Sequence, residues 1–317
     1  MTRIVATGPV APVAEELLGD IVVADGATLH ELVHDAEALI VRGGTTVDAA
    51  LIDAAPQLRV IARSGVGVSE VDLEAATRRG IPVVFTPAAG ARAVAEGALA
   101  LLLGLAKQLL LLDRTVREGR WHEREEVEVG DLEGATLGIV GFGRIGRELA
   151  RLAAPFELRV LASDPYAKPA AGVELMSPDH LFAASDFVSV HAPLTDETRG
   201  MIDGRLLAAA KPGLIFANLG RGALVRSLDD LLAALESGRL AGVGLDVFDP
   251  EPPDVSHPLF RHPRVLVTPH TLGLSRRARE RIFRDVADGI LAVFRGERPR
   301  AVANPEVYGG TARSPAV

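Results

Sequence analysis

The sequence Ala135-Thr-Leu-Gly-Ile-Val-Gly-Phe-Gly-Arg-Ile-Gly-Arg147 decides the fold of this chain. Its apolar run leads directly into a Gly-x-Gly-x-x-Gly pattern at Gly141, Gly143 and Gly146, which predicts a strand, a tight turn and the first turn of a helix. The first glycine permits the turn, the second lets a pyrophosphate approach the backbone, and the third lets the helix pack closely on the strand. The helix N-terminus then offers unpaired N–H groups to an anion. A chain with 32 glycines also produces this spacing by chance, so a turn with a purely structural role is the alternative.

An acidic residue at the right distance favours the nucleotide-binding interpretation. A second apolar run, Arg159-Val-Leu-Ala-Ser, ends at Asp164, which lies 18 residues beyond Gly146. A carboxylate about 20 residues after the glycines accepts hydrogen bonds from the ribose hydroxyls of a dinucleotide. The same charge repels a 2′-phosphate, so we expect NAD rather than NADP as the cofactor.

The composition describes an ordinary globular protein. Its 317 residues suffice for two domains, with 48% hydrophobic and 24% charged residues. A net charge of −8 argues against a nucleic-acid partner, and the longest apolar segment, residues 98–112, is interrupted by Lys107 and Gln108, so we expect no membrane partner. The chain has no cysteine, and its N-terminus lacks the layout of a signal peptide. We therefore expect a cytoplasmic protein.

Short apolar runs alternate with helical patterns along the whole chain, five before residue 86 and six after residue 135. This alternation predicts an α/β fold with two Rossmann-like, doubly wound parallel-sheet domains. We predict a flavodoxin-like substrate-binding domain at residues 1–98, completed by 288–317, and an NAD-binding domain at residues 99–287. One long helix is predicted from Arg92 to about Glu118 and another from Ser275 to Phe294, and the tail beyond Asn304-Pro305 is predicted to be mobile.

Three polar residues follow the last strands of the second domain, where parallel sheets bind ligands. Arg221, Glu251 and His270 supply a guanidinium that can grip a carboxylate, a carboxylate that can hold an imidazole tautomer, and an imidazole that can move a proton near neutral pH. These groups suit the reduction of a 2-keto acid by a hydride donor. Each of the three residues also has a purely structural alternative. Arg221 would cap a helix, Glu251 would pair with a nearby arginine, and His270 would bond to the backbone at the end of a strand.

His191 is the competing base, but Pro193 and Thr195 after it suggest a loop that shapes the cofactor cleft. Without Gly-x-Ser-x-Gly, His-Glu-x-x-His or paired cysteines, the sequence does not support a hydrolase or a metal site.

Several segments together resemble the D-2-hydroxyacid dehydrogenases, a family that includes D-3-phosphoglycerate dehydrogenase and glyoxylate/hydroxypyruvate reductase. The segments that carry the resemblance are Gly65–Asp72, Gly80–Val83, Val94–Glu96, Arg117–Trp121, Gly141–Gly146, His191–Thr195, Asn218–Gly222, Leu245–Pro252 and Thr268–His270. They extend over nearly the whole chain. The resemblance implies an NAD-dependent enzyme that interconverts a D-2-hydroxy acid and its 2-keto acid.

The resemblance also implies roles for individual residues. His270 would be the acid/base, Glu251 its partner and Arg221 the clamp on the substrate, whose carboxylate would also meet the backbone of Val66 and Gly67. The expected cofactor-binding residues are Gly141, Gly143, Arg144, Ile145, Gly146, Asp164, His191, Pro193, Thr198, Leu219, Gly220, Asp246 and Gly273. The segment from Leu101 to Trp121 resembles the dimer-forming arm of the family. The helix from Leu99 to Leu112 carries leucines on nearly every face, so we expect a homodimer, with burial of these leucines between the two domains as the alternative.

Departures from the family pattern leave alternatives open. Leu272 stands where the family has a small residue, which predicts a narrower pocket beside the nicotinamide, and Arg226 stands at a common Asp position, where Ser227 with Asp230 would still cap the next helix. The chain ends before any additional regulatory domain, so serine feedback through one is not expected. A short D-3-phosphoglycerate dehydrogenase and an NAD-sensing, corepressor-like binding protein are the alternative functions.

Overall fold

The computed structural model describes residues 3–309. Its β-strands are β1 Ile4–Ala6, β2 Ile21–Val23, β3 Ala38–Val41, β4 Val60–Arg63, β5 Val83–Val84, β6 Thr136–Val140, β7 Arg159–Ser163, β8 Val173–Leu175, β9 Phe187–Val190, β10 Leu214–Asn218, β11 Leu240–Leu245 and β12 Val265–Val267. Its α-helices are α1 Pro12–Leu18, α2 Leu29–Val33, α3 Ala49–Asp53, α4 Leu73–Arg78, α5 Ala91–Ala106, α6 Leu109–Arg117, α7 Arg144–Ala153, α8 Pro178–Ala184, α9 Gly204–Ala208, α10 Leu228–Glu236 and α11 Arg276–Phe294.

These elements form two compact units. The first contains the described residues up to Gly90 and from Leu274 onward, and the second runs from Ala91 to Gly273. The divisions differ from the predicted boundaries at 98/99 and 287/288, because α5 and α11 each belong entirely to one unit. Residues 1–2 and 310–317 of the predicted substrate-binding domain lie outside the described residues, as does the end of the tail predicted to be mobile. The described part of that tail includes a short 3₁₀ turn at Pro305–Tyr308.

The first unit contains a five-stranded sheet in the order β2-β1-β3-β4-β5, with every pair parallel. Alternate residues of its central strands contribute to two separate cores. Leu39 and Ile61 pack on one face with residues of α3 and α4, whereas Ile40 and Ala62 pack on the other face with residues of α1 and α11. Because side chains of a strand point alternately to opposite faces, strands that are buried on both sides read as continuous apolar runs.

The second unit contains a seven-stranded parallel sheet in the order β12-β11-β10-β9-β6-β7-β8. The chain order reverses between β6 and β9, which is the point where such sheets bind ligands at the carboxyl ends of their strands. The prediction of two doubly wound α/β domains is confirmed. The prediction of six strands in this unit was one too few, because edge strand β8 has only three residues and contains Glu174.

The helix predicted from Arg92 to about Glu118 is two helices, so that prediction was wrong. α5 and α6 meet at a 57° bend, where Gln108 has a φ of 48° in the left-handed region. The Gln108 side chain donates a hydrogen bond to the carbonyl of Glu128, a contact that the local sequence does not reveal. No single helix within residues 3–309 is long and apolar enough to cross a membrane, although the bent α5–α6 pair passes that test of length and composition together.

Candidate active site

The glycine-rich turn lies between β6 and α7, as its spacing predicts. Gly141 has a φ of 89°, and a side chain there would overlap the backbone of Ala192. A side chain at Gly146 would overlap the carbonyl of Gly141, so the close approach of α7 to β6 requires glycine. α7 begins after Gly143 without a side-chain cap, which leaves the N–H groups of its first turn, including those of Arg144 and Ile145, directed at the turn. This cradle fits a pyrophosphate.

Asp164 follows β7 and is bound directly to the glycine-rich turn. Its Oδ2 accepts a hydrogen bond from the N–H of Phe142 at 2.8 Å, and its Oδ1 accepts one from the N–H of Tyr166 at 2.9 Å. These bonds fix the carboxylate beside the cradle while leaving further acceptor positions on both oxygens. The arrangement fits a carboxylate that receives the hydroxyls of a ribose.

His191 follows β9, and its side chain is partly buried. Its Nε2 lies 2.8 Å from the hydroxyl of Ser189, and its Nδ1 is buried without a hydrogen-bond partner among the described residues. Burial lowers the pKa of His191 to about 3, because a charged imidazole would lose its hydration there. An imidazole with this pKa does not donate a proton near neutral pH, which argues against His191 as the acid/base.

The loop after His191 is braced by Thr198. The Thr198 hydroxyl donates a hydrogen bond to the carbonyl of Pro193 at 2.7 Å and lies 2.8 Å from the backbone nitrogen of Thr195. A short loop closed on itself in this way has a defined shape. The predicted cofactor residues Pro193 and Thr198 therefore belong to one ordered loop at the carboxyl end of β9.

Asn218 shapes the loop that carries Arg221, a role that the sequence reasoning missed. Asn218 is fully buried; its Oδ1 accepts a hydrogen bond from the N–H of Gly220 at 3.0 Å, and its Nδ2 donates one to the carbonyl of Arg221 at 2.9 Å. The Arg221 guanidinium donates to the carbonyl of Gly220 at 2.7 Å. Leu219, the remaining residue of this loop, is buried. A polar residue at the end of an otherwise apolar strand was the available signal.

Asp246 holds the segment on both sides of His270. It is 3% exposed and accepts hydrogen bonds from the Thr268 hydroxyl at 2.6 Å, the Thr271 N–H at 3.0 Å and the Leu272 N–H at 3.3 Å. Burial raises the pKa of Asp246. His270 has a φ of 53°, a left-handed conformation that costs a residue with a side chain about 1 kcal/mol or more. The hydrogen bonds to Asp246 offset that cost.

Glu251 and His270 form a direct pair. The Nδ1 atom of His270 lies 2.9 Å from Oε2 and 3.1 Å from Oε1 of Glu251, and Oε1 also accepts a hydrogen bond from the N–H of Phe248 at 3.0 Å. A carboxylate only accepts, so in the neutral imidazole it selects the tautomer with the proton on Nδ1. Nε2 is then the atom that can exchange a proton with a ligand. Both side chains are partly exposed, at 47% for His270 and 40% for Glu251.

The sheet brings the three predicted catalytic residues to one edge. β10, β11 and β12 are adjacent, with Asn218 opposite Leu245 and Leu245 opposite Val267, so Arg221, Glu251 and His270 all follow the carboxyl ends of neighbouring strands. Gly222, next to Arg221, lies so close to the backbone of Phe248 that a side chain would overlap it. The loop of Arg221 therefore contacts the segment that holds Glu251.

The remaining predicted residues occupy different places. Val66 and Gly67 follow β4 in the first unit, so their predicted contact with the substrate remains a prediction. Gly273 ends the second unit, and a side chain there would lie 3.1 Å from the Cγ2 atom of Val94. Ser227 caps α10 by accepting from the N–H of Asp229 rather than through Asp230. No cluster of three metal-ligating His, Asp or Glu side chains occurs among residues 3–309.

The sequence reasoning also missed a group of arginines in the first unit. Arg42 directly follows β3, Arg63 ends β4, and Arg279 lies in the first turn of α11. Burial, with the charges of Arg279 and Arg63, lowers the pKa of Arg42. Arg63, which is 9% exposed, pairs with Glu70 at 3.3 Å.

Comparison with known proteins places this geometry in context. The family model described as D-isomer specific 2-hydroxyacid dehydrogenase, NAD binding domain, matches residues 99–271. D-3-phosphoglycerate dehydrogenase of Mycobacterium leprae is 44% identical over 277 residues, which are 86% of this chain and 52% of that protein. Glyoxylate reductase of Korarchaeum cryptofilum is 39% identical over 284 residues, 87% of this chain and 85% of that protein. The chain thus spans about half the length of the phosphoglycerate dehydrogenase that it matches.

Among solved structures, D-lactate dehydrogenase from Aquifex aeolicus complexed with NAD and lactic acid has a TM-score of 0.82 at 26% identity, with 98% of each chain covered.

Proposed function

The chain belongs to the D-isomer-specific 2-hydroxyacid dehydrogenase family, and we propose that it is an NAD-dependent oxidoreductase that interconverts a D-2-hydroxy acid and its 2-keto acid. The observation that carries this proposal is the pair of His270 and Glu251, 2.9 Å apart, at the carboxyl edge of the sheet that also carries the glycine cradle. An imidazole fixed by a carboxylate is the proton-transfer group that reduction of a carbonyl requires.

The cofactor would be held by the second unit. When bound, NAD supplies or accepts a hydride at the carbon of the substrate. The first turn of α7 would bind the pyrophosphate, and Asp164 would accept hydrogen bonds from the adenosine ribose. The loops that follow β9, β10, β11 and β12 would complete the site with His191, Pro193, Thr198, Leu219, Gly220, Asp246 and Gly273.

The residues of this chain would transfer the proton and bind the substrate. In reduction, Nε2 of His270 gives its proton to the carbonyl oxygen, and in oxidation it takes the hydroxyl proton. Glu251 holds Nδ1 and stabilises the protonated ring by its charge. Arg221 pairs with the substrate carboxylate, for which a planar guanidinium is the best-matched side chain. Val66 and Gly67 are proposed to bind the same carboxylate through their backbone.

The direct test is NADH oxidation with glyoxylate, hydroxypyruvate, pyruvate and phosphohydroxypyruvate. We expect turnover of at least one of them, and His270→Ala should lower kcat roughly 10²- to 10⁴-fold while NADH binding persists. Arg221→Ala should raise KM as well as lower kcat, and Arg221→Lys should restore little, because an ammonium lacks the planar fork. NADH binding without turnover of any of the four acids would instead favour an NAD-sensing binding protein.

A short D-3-phosphoglycerate dehydrogenase is the second candidate, favoured by the 44% identity to D-3-phosphoglycerate dehydrogenase of Mycobacterium leprae over 86% of this chain. If this candidate is correct, kcat/KM for phosphohydroxypyruvate should exceed that for hydroxypyruvate by at least about tenfold, because only the first acid carries a phosphate that a binding site can grip. Equal values for the two acids in the wild type would favour a reductase of unphosphorylated acids.

We also propose a cytoplasmic homodimer with no nucleic-acid or membrane partner. α6 and the turn after it expose Leu109, Leu110, Val116 and Trp121, an apolar surface of the kind that subunit contacts cover. The absence of cysteine supports a cytoplasmic location, and the net charge of −8 argues against a nucleic-acid partner. Light scattering at micromolar concentration should give twice the chain mass of 33.4 kDa, and a monomer would exclude the dimer.

A further inference from the structure

The side chain of Leu272, two residues after His270, packs against a helix. The helix residue that it contacts can only be a glycine. A Cβ atom added to Gly97 of α5 would lie 2.6 Å from Cβ, 3.1 Å from Cδ1 and 3.2 Å from Cγ of Leu272. Real Cβ atoms do not approach side-chain carbons to 2.6 Å, and the Cβ of Leu272 cannot move without its backbone. Gly97 is therefore a notch in α5 that the Leu272 side chain fills.

The helix that carries this notch is firmly anchored in its own unit. Leu101 of α5 lies against Gly244 of β11, and Leu105 lies against Gly242 of the same strand. Leu101 and Leu102 are almost fully buried in the core that α5 shares with β6 and β10. A side chain held by α5 is therefore held relative to β11, the strand that leads to Asp246 and Glu251.

Leu272 is fixed at two points. Its N–H donates a hydrogen bond to Asp246, and its partly buried side chain packs against the core cluster around α5. The residue between Leu272 and His270 is bound to Asp246 as well. Because His270 has a left-handed backbone conformation, its place opposite Glu251 depends on the restraint of its neighbours on both sides.

We propose that Gly97 and Leu272 are positioning residues for the reaction: the notch in α5 sets the place of Leu272 and, through it, of the His270 imidazole against Glu251. This inference rests on the proposed function of His270. The bulk of Leu272 was expected to narrow the pocket beside the nicotinamide, and that remains a prediction. Its side chain packs against α5, where its bulk is accommodated by the missing side chain of Gly97.

The test compares two glycine substitutions in one helix. Gly97→Ala places a methyl group against Leu272, whereas Gly104→Ala, the matched control, meets no atom nearer than 3.9 Å. Alanine is otherwise the better helix former at both positions. We expect Gly97→Ala to lower kcat for 2-keto acid reduction roughly 10- to 100-fold, because small displacements of a catalytic group are costly, with the Kd for NADH within about twofold of the wild type. Gly104→Ala should retain wild-type kcat.

Rescue separates positioning from general damage. Leu272→Gly removes the Cβ atom of Leu272 and with it the overlap, so Gly97→Ala introduced into Leu272→Gly should not lower kcat further. Leu272→Gly alone, which creates space rather than a clash, should lower kcat about tenfold by loosening the segment, with little change in NADH affinity. This variant also covers the case in which Gly97→Ala does not fold.

Each result decides the matter. Wild-type kcat in folded Gly97→Ala, a double variant with a kcat below that of Leu272→Gly alone, or a lowered melting temperature with unchanged kcat in Leu272→Gly would each overturn the positioning role. These outcomes require an active wild type. Absence of 2-keto acid turnover in the wild type would instead refute the proposed function, and with it the catalytic role of His270 on which this inference rests.

Discussion

Replacement of His191 by glutamine should remove a defined part of the pH dependence of stability. The pKa of His191 falls from its ordinary value of 6.5 to about 3 in the folded protein. A depressed pKa contributes stability that is present above pH 6.5 and is lost as the pH falls toward 3, because the unfolded chain then binds a proton that the folded chain does not. Between pH 7.5 and pH 5.0 the loss amounts to about 2 kcal/mol, at about 1.4 kcal/mol per unit below the unfolded pKa.

The assay is urea unfolding at both pH values. Glutamine carries an amide that can bond Ser189 as Nε2 of His191 does, and it does not titrate. We expect the wild type to lose about 2 kcal/mol more than His191→Gln between pH 7.5 and 5.0. His30→Gln, which replaces an exposed histidine of α2, should lose as much as the wild type. Carboxylates that titrate in this interval do so in all three proteins and cancel. Parallel losses in the wild type and His191→Gln would show that the imidazole is not held neutral by burial.

Four further predictions test the cofactor site, the acid/base pair and the dimer. The wild type should prefer NADH over NADPH at least tenfold in kcat/KM, about 1.4 kcal/mol, and equal efficiency of the two cofactors would refute the role of Asp164 in cofactor choice. Asp164→Ala should narrow this preference and also weaken NADH binding, since the carboxylate holds Phe142 of the turn. Gly141→Ala should weaken NADH binding by at least about tenfold in a fluorescence titration, because a left-handed alanine costs 1–2 kcal/mol before any clash with the backbone is counted. Glu251→Gln should lower kcat roughly tenfold or more with little change in NADH affinity, and an unchanged kcat would separate Glu251 from the proton transfer. Leu110→Glu, on the exposed face of α6, should give a monomer in light scattering if that face is the subunit contact.

The features that were predictable from sequence are those fixed by local pattern. Parallel strands buried on both faces leave continuous apolar runs, and eleven of the twelve strands were located in that way. The glycine spacing predicted the strand, the turn and the start of α7 because each glycine answers a steric demand of that turn. The family resemblance is confirmed by the match over residues 99–271. The predicted catalytic roles remain predictions.

What could not be predicted depends on contacts between distant residues. The break between α5 and α6 involves the contact of Gln108 with Glu128, twenty positions away, and no helix-breaking residue marks it. Asn218 and Asp246 are ordinary polar residues in sequence, and only the folded loops reveal that they hold Arg221 and His270. The packing of Leu272 was likewise not predictable, because it depends on the missing side chain of Gly97, about 175 residues earlier.

The two histidines of the site illustrate why residue type alone could not assign the acid/base. Both follow a strand at the carboxyl edge of one sheet, and each has proline nearby, so their sequence contexts favour either of them. The folded environments differ in kind. His191 has a hydroxyl partner and a partly buried ring with an enclosed Nδ1 atom, and burial lowers its pKa to about 3. His270 has a carboxylate partner 2.9 Å from Nδ1, and its ring is partly exposed to solvent. Of the two, His270 combines a carboxylate partner with a ring open to solvent, and that combination is what a proton donor needs to act repeatedly.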